Sequence, residues 1–273
     1  MVDKTTIEKS PPQRFYKYRD WNKPDHQKTL RFNSIYFTSP AQLNDPFDCA
    51  LSIRYDKLTP KKILAIYKKY IKKLNSEYNI QEINGQATEL VNNPHFYLEI
   101  CKDAIRRNRD TTNNNAGIFS VSEINNDVLM WSHYCCSHTG LCIGFDVNKL
   151  FVFLSDYFKE STTSFACVPI KYKSKYPVFT LQSLNNKAIN ILATKAKYWR
   201  YEKEWRCIIW GETSKSVTLP EGIIKEVIIG HQMPESQKNE IIQILKNKQF
   251  KIELKEAHPN SEEFKLDINT INY

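Results

Sequence analysis

The stretch 198–210, which reads Tyr-Trp-Arg-Tyr-Glu-Lys-Glu-Trp-Arg-Cys-Ile-Ile-Trp, constrains the fold more than any other part of the chain. Its second half is aromatic and β-branched, which predicts a strand that runs into the core. Because side chains alternate along a strand, we expect Glu202, Glu204 and Arg206 on one face and Trp205 on the other. Of two carboxylates beside an arginine, one could act as a general base or accept hydrogen bonds from sugar hydroxyls. The alternative is a half-solvated strand end at which Glu204 and Arg206 pair with neighbours.

The composition indicates a folded, basic protein. The 273 residues have room for one large domain or two small ones, and 41% hydrophobic residues can bury a core. A formal net charge of +9 and a pI of about 9.0 favour contact with polyanions such as RNA, DNA or nucleotide phosphates. Seven cysteines without a C-x-x-C pair indicate free thiols in a reducing cytosol. No apolar run approaches the ~20 residues of a membrane span, so we expect a cytoplasmic protein with no membrane partner.

Short strands with helices inserted between them predict an α+β fold with a mixed or antiparallel sheet. Strands are expected at 15–19, 30–32, 35–38, 117–123, 140–146, 165–172, 205–210, 223–229 and 250–254. Helices are expected at 59–74, 94–108, 128–134, 147–155, 184–196 and 234–247, and a loop at 21–27. We expect a single α+β domain over residues 14–255. Residues 56–112 would form a helical insertion within it, and residues 1–13 and 256–273 would be peripheral tails.

One predicted helix is strongly basic. Seven lysines and no acidic residue lie between Lys57 and Lys73, on a helix that Thr59 and Pro60 begin. The segment 106–109 adds three arginines at the end of the next helix. Such a run forms either a solvated face, which is the commoner case, or a nucleic-acid-binding face.

Three polar motifs lie on an early, a middle and a late predicted strand. They are Arg19, the Ser-x-Ser of Ser120 and Ser122, and the Glu-x-Glu of Glu202 and Glu204. This order resembles the R-S-E pattern of ADP-ribosyltransferases, which use NAD as a substrate. The resemblance implies a split sheet and places the Glu-x-Glu on a loop before a strand, whereas the alternation above predicts it within one.

The same resemblance implies a role for each motif. Arg19 would contact the NAD phosphates, and Ser120 and Ser122 would support the nicotinamide ribose. Glu204 would stabilise the oxocarbenium-like transition state, or it would activate the acceptor together with Glu202.

Neighbouring residues would complete such a site. Arg206 is a second candidate for holding phosphates. Nicotinamide needs an aromatic surface, and the candidates are Tyr16, Tyr18, Trp131 and Tyr134. His133 is a candidate site residue, with a structural histidine as the alternative.

Six short blocks of sequence resemble a bacterial family filed as domain of unknown function 2971. The blocks are 16–19, 44–48, 119–122, 130–134, 140–145 and 201–206. They occur in order from about residue 15 to 230. The family has no settled activity, but its association with phage defence implies a toxic or antiviral effector with a defence-system partner or antitoxin protein.

These resemblances lead to one main hypothesis, a defence or toxin effector with an ADP-ribosyltransferase-like core. It would use NAD to modify a nucleic acid or protein, or hydrolyse NAD. The alternative is a non-enzymatic nucleic-acid-binding or sensor module. A third possibility is a nuclease that holds Mg²⁺ with Glu202, Glu204, Asp45 and Asp48.

Some site classes have no motif in this sequence. It has no Walker-type loop and no G-x-G-x-x-G, which argues against P-loop and Rossmann nucleotide binding. It also has no H-E-x-x-H and no Cys/His cluster, so we expect no structural or catalytic zinc.

Overall fold

The computed structural model describes residues 10–49, 52–53, 60–92, 94–159, 161–176, 178–179 and 188–273. The chain divides into two compact units. The first comprises Met1–Leu43, Asn115–Tyr172 and Lys197–Tyr273, and the second comprises Asn44–Asn114 and Lys173–Ala196. The second unit thus contains the segment 56–112, which the sequence predicts to be an insertion, and also residues that the sequence assigns to the core.

Short strands alternate with helices along the described chain. The strands are β1 Arg14–Arg19, β2 Ser34–Phe37, β3 Ser52–Ile53, β4 Ala116–Ser122, β5 Leu141–Asp146, β6 Ser164–Pro169, β7 Lys171–Lys173, β8 Val178–Phe179, β9 Thr194–Ala196, β10 Glu204–Trp210, β11 Lys215–Thr218, β12 Ile224–Gly230, β13 Glu253–Pro259 and β14 Leu266–Thr270. The α-helices are α1 Pro24–Phe32, α2 Pro60–Leu74, α3 Ile80–Val91, α4 Pro94–Asn115, α5 Val128–Tyr134, α6 Val147–Lys159, α7 Ala188–Leu192 and α8 Glu235–Lys246. Short 3₁₀ helices span Pro40–Gln42 and Lys197–Glu202.

An eight-stranded sheet in the order β14-β13-β12-β5-β1-β4-β10-β6 organises the first unit. Neighbouring strands run antiparallel except β12 and β13, which are parallel and are connected through α8. The sheet is therefore mixed and mostly antiparallel, which confirms the predicted α+β class.

The sheet nearly divides between β1 and β4. These strands share one registered pair, Tyr16 with Ser122. Further along the same edge of β4, Thr38 exchanges two backbone hydrogen bonds with Ile118. Between these points the Lys17 ammonium donates a hydrogen bond to the Ser120 carbonyl oxygen. A side chain and a neighbouring segment thus replace β1 as hydrogen-bonding partners of β4.

The two faces of this sheet bury different material. On the apolar face, Phe15, Phe119 and Trp205 pack with residues of α6 and α8 in the largest core cluster. On the opposite face, Tyr18 packs with Trp131 of α5 in a smaller cluster. Alternation along the strands produces this division, since neighbouring strand residues point to opposite faces.

The structure corrects the prediction for residues 21–32. The sequence predicts a loop and then a strand, whereas α1 occupies Pro24–Phe32. Pro24 suits the first turn of a helix, and Thr29 and Leu30 bury the inner side of α1. Asn33 ends α1 with a left-handed backbone at φ 53°.

The prediction of a peripheral tail over 256–273 is wrong for most of its length. β13 runs on to Pro259, and β14 pairs with it from Leu266 to Thr270. Ala257 and Leu266 are buried, so this edge contributes to the core. The sequence does not predict these strands because the alternation of apolar and polar residues in this segment is weak and polar residues interrupt it.

The second unit is built around a helix pair. Tyr67 and Ile71 of α2 pack with Ile83 and Ala87 of α3. Asn79 caps α3, its side chain accepting from two backbone N–H groups of the first turn. The helix predicted at 184–196 falls partly outside the described residues, and the remainder forms α7 and β9. Among the helices of the described chain, none has the length and apolar character needed to cross a membrane.

Candidate functional site

One row of residues crosses five neighbouring strands on a single face of the sheet. Backbone register places Ser122 of β4 opposite both Tyr16 of β1 and Glu204 of β10. Directly opposite residues share a face, so Ser122 and Glu204 lie side by side. The row continues through Gly144 of β5 to Glu226 of β12. We call the face that carries this row the polar face.

The two glutamates of the Glu-x-Glu motif flank a turn. Glu202 ends the 3₁₀ helix, Lys203 has a left-handed backbone at φ 43°, and Glu204 begins β10. The prediction that Glu202 lies in the strand is therefore wrong, because the 3₁₀ helix runs through it. Ser122 fastens this turn to β4, since its Oγ donates to the Glu202 carbonyl oxygen at 2.7 Å and accepts from the Ile124 N–H at 3.1 Å.

Both carboxylates are buried and hydrogen-bonded. Glu202 is 3% exposed, and the Tyr134 hydroxyl donates to its Oε1 at 2.6 Å. Glu204 is 5% exposed and pairs with Arg206, which is fully buried, through Nε–Oε1 at 2.7 Å and Nη2–Oε2 at 3.3 Å. This charge-assisted pair favours the ionised form of Glu204.

Tyr172 is a member of this cluster that the sequence does not reveal. Its hydroxyl accepts a hydrogen bond from the Glu204 N–H at 2.8 Å. Burial raises the pKa of Tyr172 well above its usual value, and the charges of Glu204 and Glu202 raise it further. Tyr172 therefore stays protonated near pH 7, with a proton available to a carboxylate or a ligand. An isolated tyrosine at the end of a predicted strand gives no signal of this role.

A chain of aromatic rings leads from the surface to Glu202. His133 is exposed, and its ring centroid lies 6.4 Å from those of both Tyr134 and Tyr201. Tyr201 in turn lies 6.1 Å from Trp199. Since Tyr134 donates to Glu202, these rings place flat surfaces next to one of the two carboxylates.

Two of the predicted nicotinamide-stacking residues are core residues. Trp131 is fully buried, and its indole N–H donates to the Asn125 carbonyl oxygen at 2.7 Å. Tyr18 is 5% exposed, packs edge-on to Trp131 at 5.6 Å, and donates to the Ile124 carbonyl oxygen. Neither ring face is open to a ligand. Burial also raises the pKa of Tyr18 well above its usual value.

Arg19 does not join Glu204. It lies opposite Leu141 on β5, and Leu141 belongs to the apolar-face cluster, whereas Tyr16 and Tyr18 point to the polar face. Arg19 is also three residues beyond Tyr16, which is about 10 Å along a strand. Sequence order cannot show this separation because it depends on strand parity. Ser120, by contrast, lies opposite Arg206 and shares its face.

The aspartates of the nuclease hypothesis belong to the second unit and make local contacts. Asp45 Oδ1 accepts from the Phe47 N–H at 2.9 Å, and Asp48 Oδ1 accepts from the Cys49 N–H at 2.8 Å. Asp48 Oδ2 also lies 3.9 Å from the Lys195 ammonium, and both side chains are buried. The bonds of Asp45 and Asp48 to backbone N–H groups are those expected of a fixed turn. In the described part of the chain, no three histidine, cysteine or acidic side chains are grouped to hold a metal ion.

Part of the region around this cluster matches a known family. Residues 130–207 match the model of a family described as a protein of unknown function, DUF2971. The matched segment includes Tyr134, Glu202, Glu204 and Arg206. Comparison with curated proteins gave no match, and neither did comparison with solved structures.

Proposed function

We propose that this protein is an enzyme that breaks the bond between nicotinamide and ribose in NAD. It passes the ADP-ribosyl group to an acceptor on a nucleic acid or protein, or to water. The observation that carries the proposal is the pairing of Ser122 with Glu204 on neighbouring strands, with the Glu202 carboxylate two residues away and both carboxylates buried.

The chemistry fits the two carboxylates. When the ribose–nitrogen bond breaks, nicotinamide leaves with the electron pair and positive charge develops on the ribose. Glu204, kept ionised by Arg206, offers a negative charge that stabilises this transition state. An oxygen of the acceptor forms the new bond to ribose, and its proton passes to Glu202, which acts as general base.

Nicotinamide release measured by mass spectrometry tests the proposal. The purified protein is incubated with NAD, with and without mixed nucleic acid. Glu204→Gln should lower release by about a hundredfold or more, by analogy with the factor of roughly 10²–10³ that is lost when one group stabilising developing charge is removed from an oxyanion hole. An adduct on nucleic acid or protein distinguishes transfer from hydrolysis.

Controls for folding are necessary because Glu204 is paired with a buried arginine. Glu202→Gln, whose Tyr134 partner can still donate to the amide oxygen, is the second test variant. Glu226→Gln changes another buried glutamate of the polar face and should leave release unchanged. Full release from both Glu204→Gln and Glu202→Gln would refute the assigned roles, and no release from the wild-type protein with any acceptor would refute the enzyme.

The role in phage defence stays a prediction from the resemblance of the sequence blocks. If the protein is a toxic effector, its expression in a bacterial host should slow growth, and Glu204→Gln should relieve the effect. An antitoxin partner would be recognised as a second protein whose co-expression restores growth.

The surface of α2 favours a second candidate function, nucleic-acid binding without catalysis. Its apolar side packs on α3, and four of its lysines are exposed. The exposed lysines are Lys61, Lys62, Lys69 and Lys72. The neighbouring basic segment contributes less charge than its sequence suggests, because Asp103 forms ion pairs with both Arg106 and Arg107.

Fluorescence anisotropy with labelled single- and double-stranded DNA and RNA tests this candidate. Reversing the four exposed α2 lysines to glutamate should abolish binding, and wild-type binding should weaken steeply when the salt concentration is raised from roughly 50 to 200 mM. The matched control reverses four exposed lysines of the first unit, namely Lys149, Lys159, Lys246 and Lys251. Equal loss of binding in both variants would show a net-charge effect and would refute a site on α2.

A further inference from the structure

Arg19 has no partner for its charge in the described structure. Its Nε is buried and donates to no acceptor, and no described carboxylate forms an ion pair with its guanidinium. Burial lowers the pKa of Arg19 to about 10, so it is still positively charged at pH 7. The side chain is half-buried, so its inner donor has lost water without gaining an acceptor, while the end of the guanidinium can still be reached from solvent. A desolvated donor without a partner is costly and is therefore uncommon in a purely structural role.

The groups around Arg19 do not supply the missing negative charge. The neighbouring Cys135 would help if it were ionised, but burial raises the pKa of that thiol well above its usual range. Cys135 is therefore a neutral thiol at pH 7. The nearby Asp20 carboxylate accepts hydrogen bonds from the backbone and side chain of Asn22 instead.

The other neighbours add positive charge. The pKa of His26 is lowered to about 4 by burial and then by the charges of Arg19, Lys23 and Lys17. His26 is thus neutral near pH 7, and the three neighbouring cations contribute to this. Lys17 lies on β1 two residues before Arg19, and Lys23 is the residue from which α1 begins.

From this arrangement we infer that Arg19 binds a phosphoryl group of a small ligand, at a site formed by β1 and the start of α1. A guanidinium presents a planar fork of N–H donors that matches phosphate oxygens. The carboxylates of this region are bonded elsewhere, Asp20 to Asn22 and Asp25 to Lys28. The excess of positive charge that remains favours an anionic ligand such as phosphate. This site lies on the other side of β1 from the row of Ser122 and Glu204, and it does not rest on the proposed NAD chemistry.

Calorimetric titration of the full chain with inorganic phosphate is the direct test. Arg19→Gln should weaken phosphate binding at least tenfold, and Arg19→Lys should weaken it less because it keeps the charge but loses the fork. Arg14→Gln is the matched control, since Arg14 is on the same strand but lies 3.7 Å from Asp146. It should bind phosphate as the wild-type protein does.

Two further readouts separate a binding site from a structural role. Phosphate should raise the pKa of His26, followed by NMR, in the wild-type protein and not in Arg19→Gln. Without phosphate, Arg19→Gln should melt no lower than the wild-type protein, because it removes a half-buried charge whose Nε has no acceptor.

Three results would contradict this proposal. Equal phosphate binding by wild-type protein and Arg19→Gln would overturn the site, as would a lower melting temperature of Arg19→Gln with no effect of phosphate on either protein. Binding of acetate in preference to phosphate would overturn the phosphoryl assignment.

Discussion

Gly144→Ala is the substitution whose effect the structure defines most closely. Gly144 lies on β5 opposite Glu226, and a Cβ added to it would be 2.5 Å from Glu226 Cγ and 2.9 Å from Oε1. Unstrained contacts between carbon atoms are about 3.5–4.0 Å, so the Glu226 side chain must move by about 1 Å. It is 4% exposed and has little room in which to do so.

This movement breaks specific bonds. The Tyr16 hydroxyl donates to Glu226 Oε1 at 3.0 Å, and the Lys255 ammonium donates to Oε2 at 2.6 Å. A displacement of about 1 Å takes at least the first beyond hydrogen-bonding range. Losing a bond to a charged group costs about 1.5–3 kcal/mol, and overpacking costs about 1–3 kcal/mol. We expect Gly144→Ala to lower the free energy of unfolding by about 3–5 kcal/mol.

Urea denaturation followed by tryptophan fluorescence is the assay, because all five tryptophans lie in the first unit. The control is Gly85→Ala in α3, where an added Cβ has no atom within 4 Å. Followed by circular dichroism, it should be neutral or stabilising by about 0.5–1 kcal/mol, as expected for alanine in place of a helical glycine. In a Glu226→Ala background, Gly144→Ala should cost little more because the obstructing side chain is gone. Wild-type stability of Gly144→Ala, or an undiminished cost in the Glu226→Ala background, would refute the reasoning.

Three further predictions concern other parts of the first unit. Cys167 and Cys207 face each other on β6 and β10 with sulfur atoms 3.2 Å apart, but burial raises the pKa of the Cys167 thiol, so diamide should join them in a disulfide slowly and faster as the pH is raised. Mass spectrometry of unreduced peptides detects this disulfide, and Cys207→Ser abolishes it. Ser122→Ala should lower the free energy of unfolding by about 1–3 kcal/mol in urea titration, because its Oγ bonds two backbone groups, one of them the carbonyl of Glu202. The pKa of His26 falls from the usual 6.5 to about 4 on folding, so the unfolded chain takes up this proton first and stability is lost as the pH drops from about 6.5 towards 4; His26→Gln should flatten the unfolding free energy across that window.

The strands that are rich in apolar residues are predictable from local pattern. β5 and β12 occur within one residue of their expected bounds, and both consist mainly of apolar residues buried on both faces. β4 and β10 also lie near their expected positions. In these segments local propensity and burial favour the same structure.

The arrangement of the candidate site depends on contacts that no local pattern encodes. Alternation predicts Glu202 within a strand, because it takes no account of a 3₁₀ helix that ends on that residue. Motif order groups Arg19 with Glu204, since both lie on strands, but cannot give the register that sends them to different faces. Tyr172 joins the site only through the pairing of β6 with β10, which positions the segment after β6.

The position of β1 in the sheet has a consequence for synthesis of the chain. β1 lies between β5 and β4, yet Lys17 and its hydrogen-bonding partner Ser120 are 103 residues apart in sequence. At translation rates of about 5–20 residues per second, β1 waits roughly 5–20 s before its neighbours emerge from the ribosome. An unpaired strand with an apolar face is prone to aggregation during such a delay, and charged residues within it oppose that association. We therefore expect the cations of β1, at Arg14, Lys17 and Arg19, to oppose association of the nascent chain until the sheet can close around the strand.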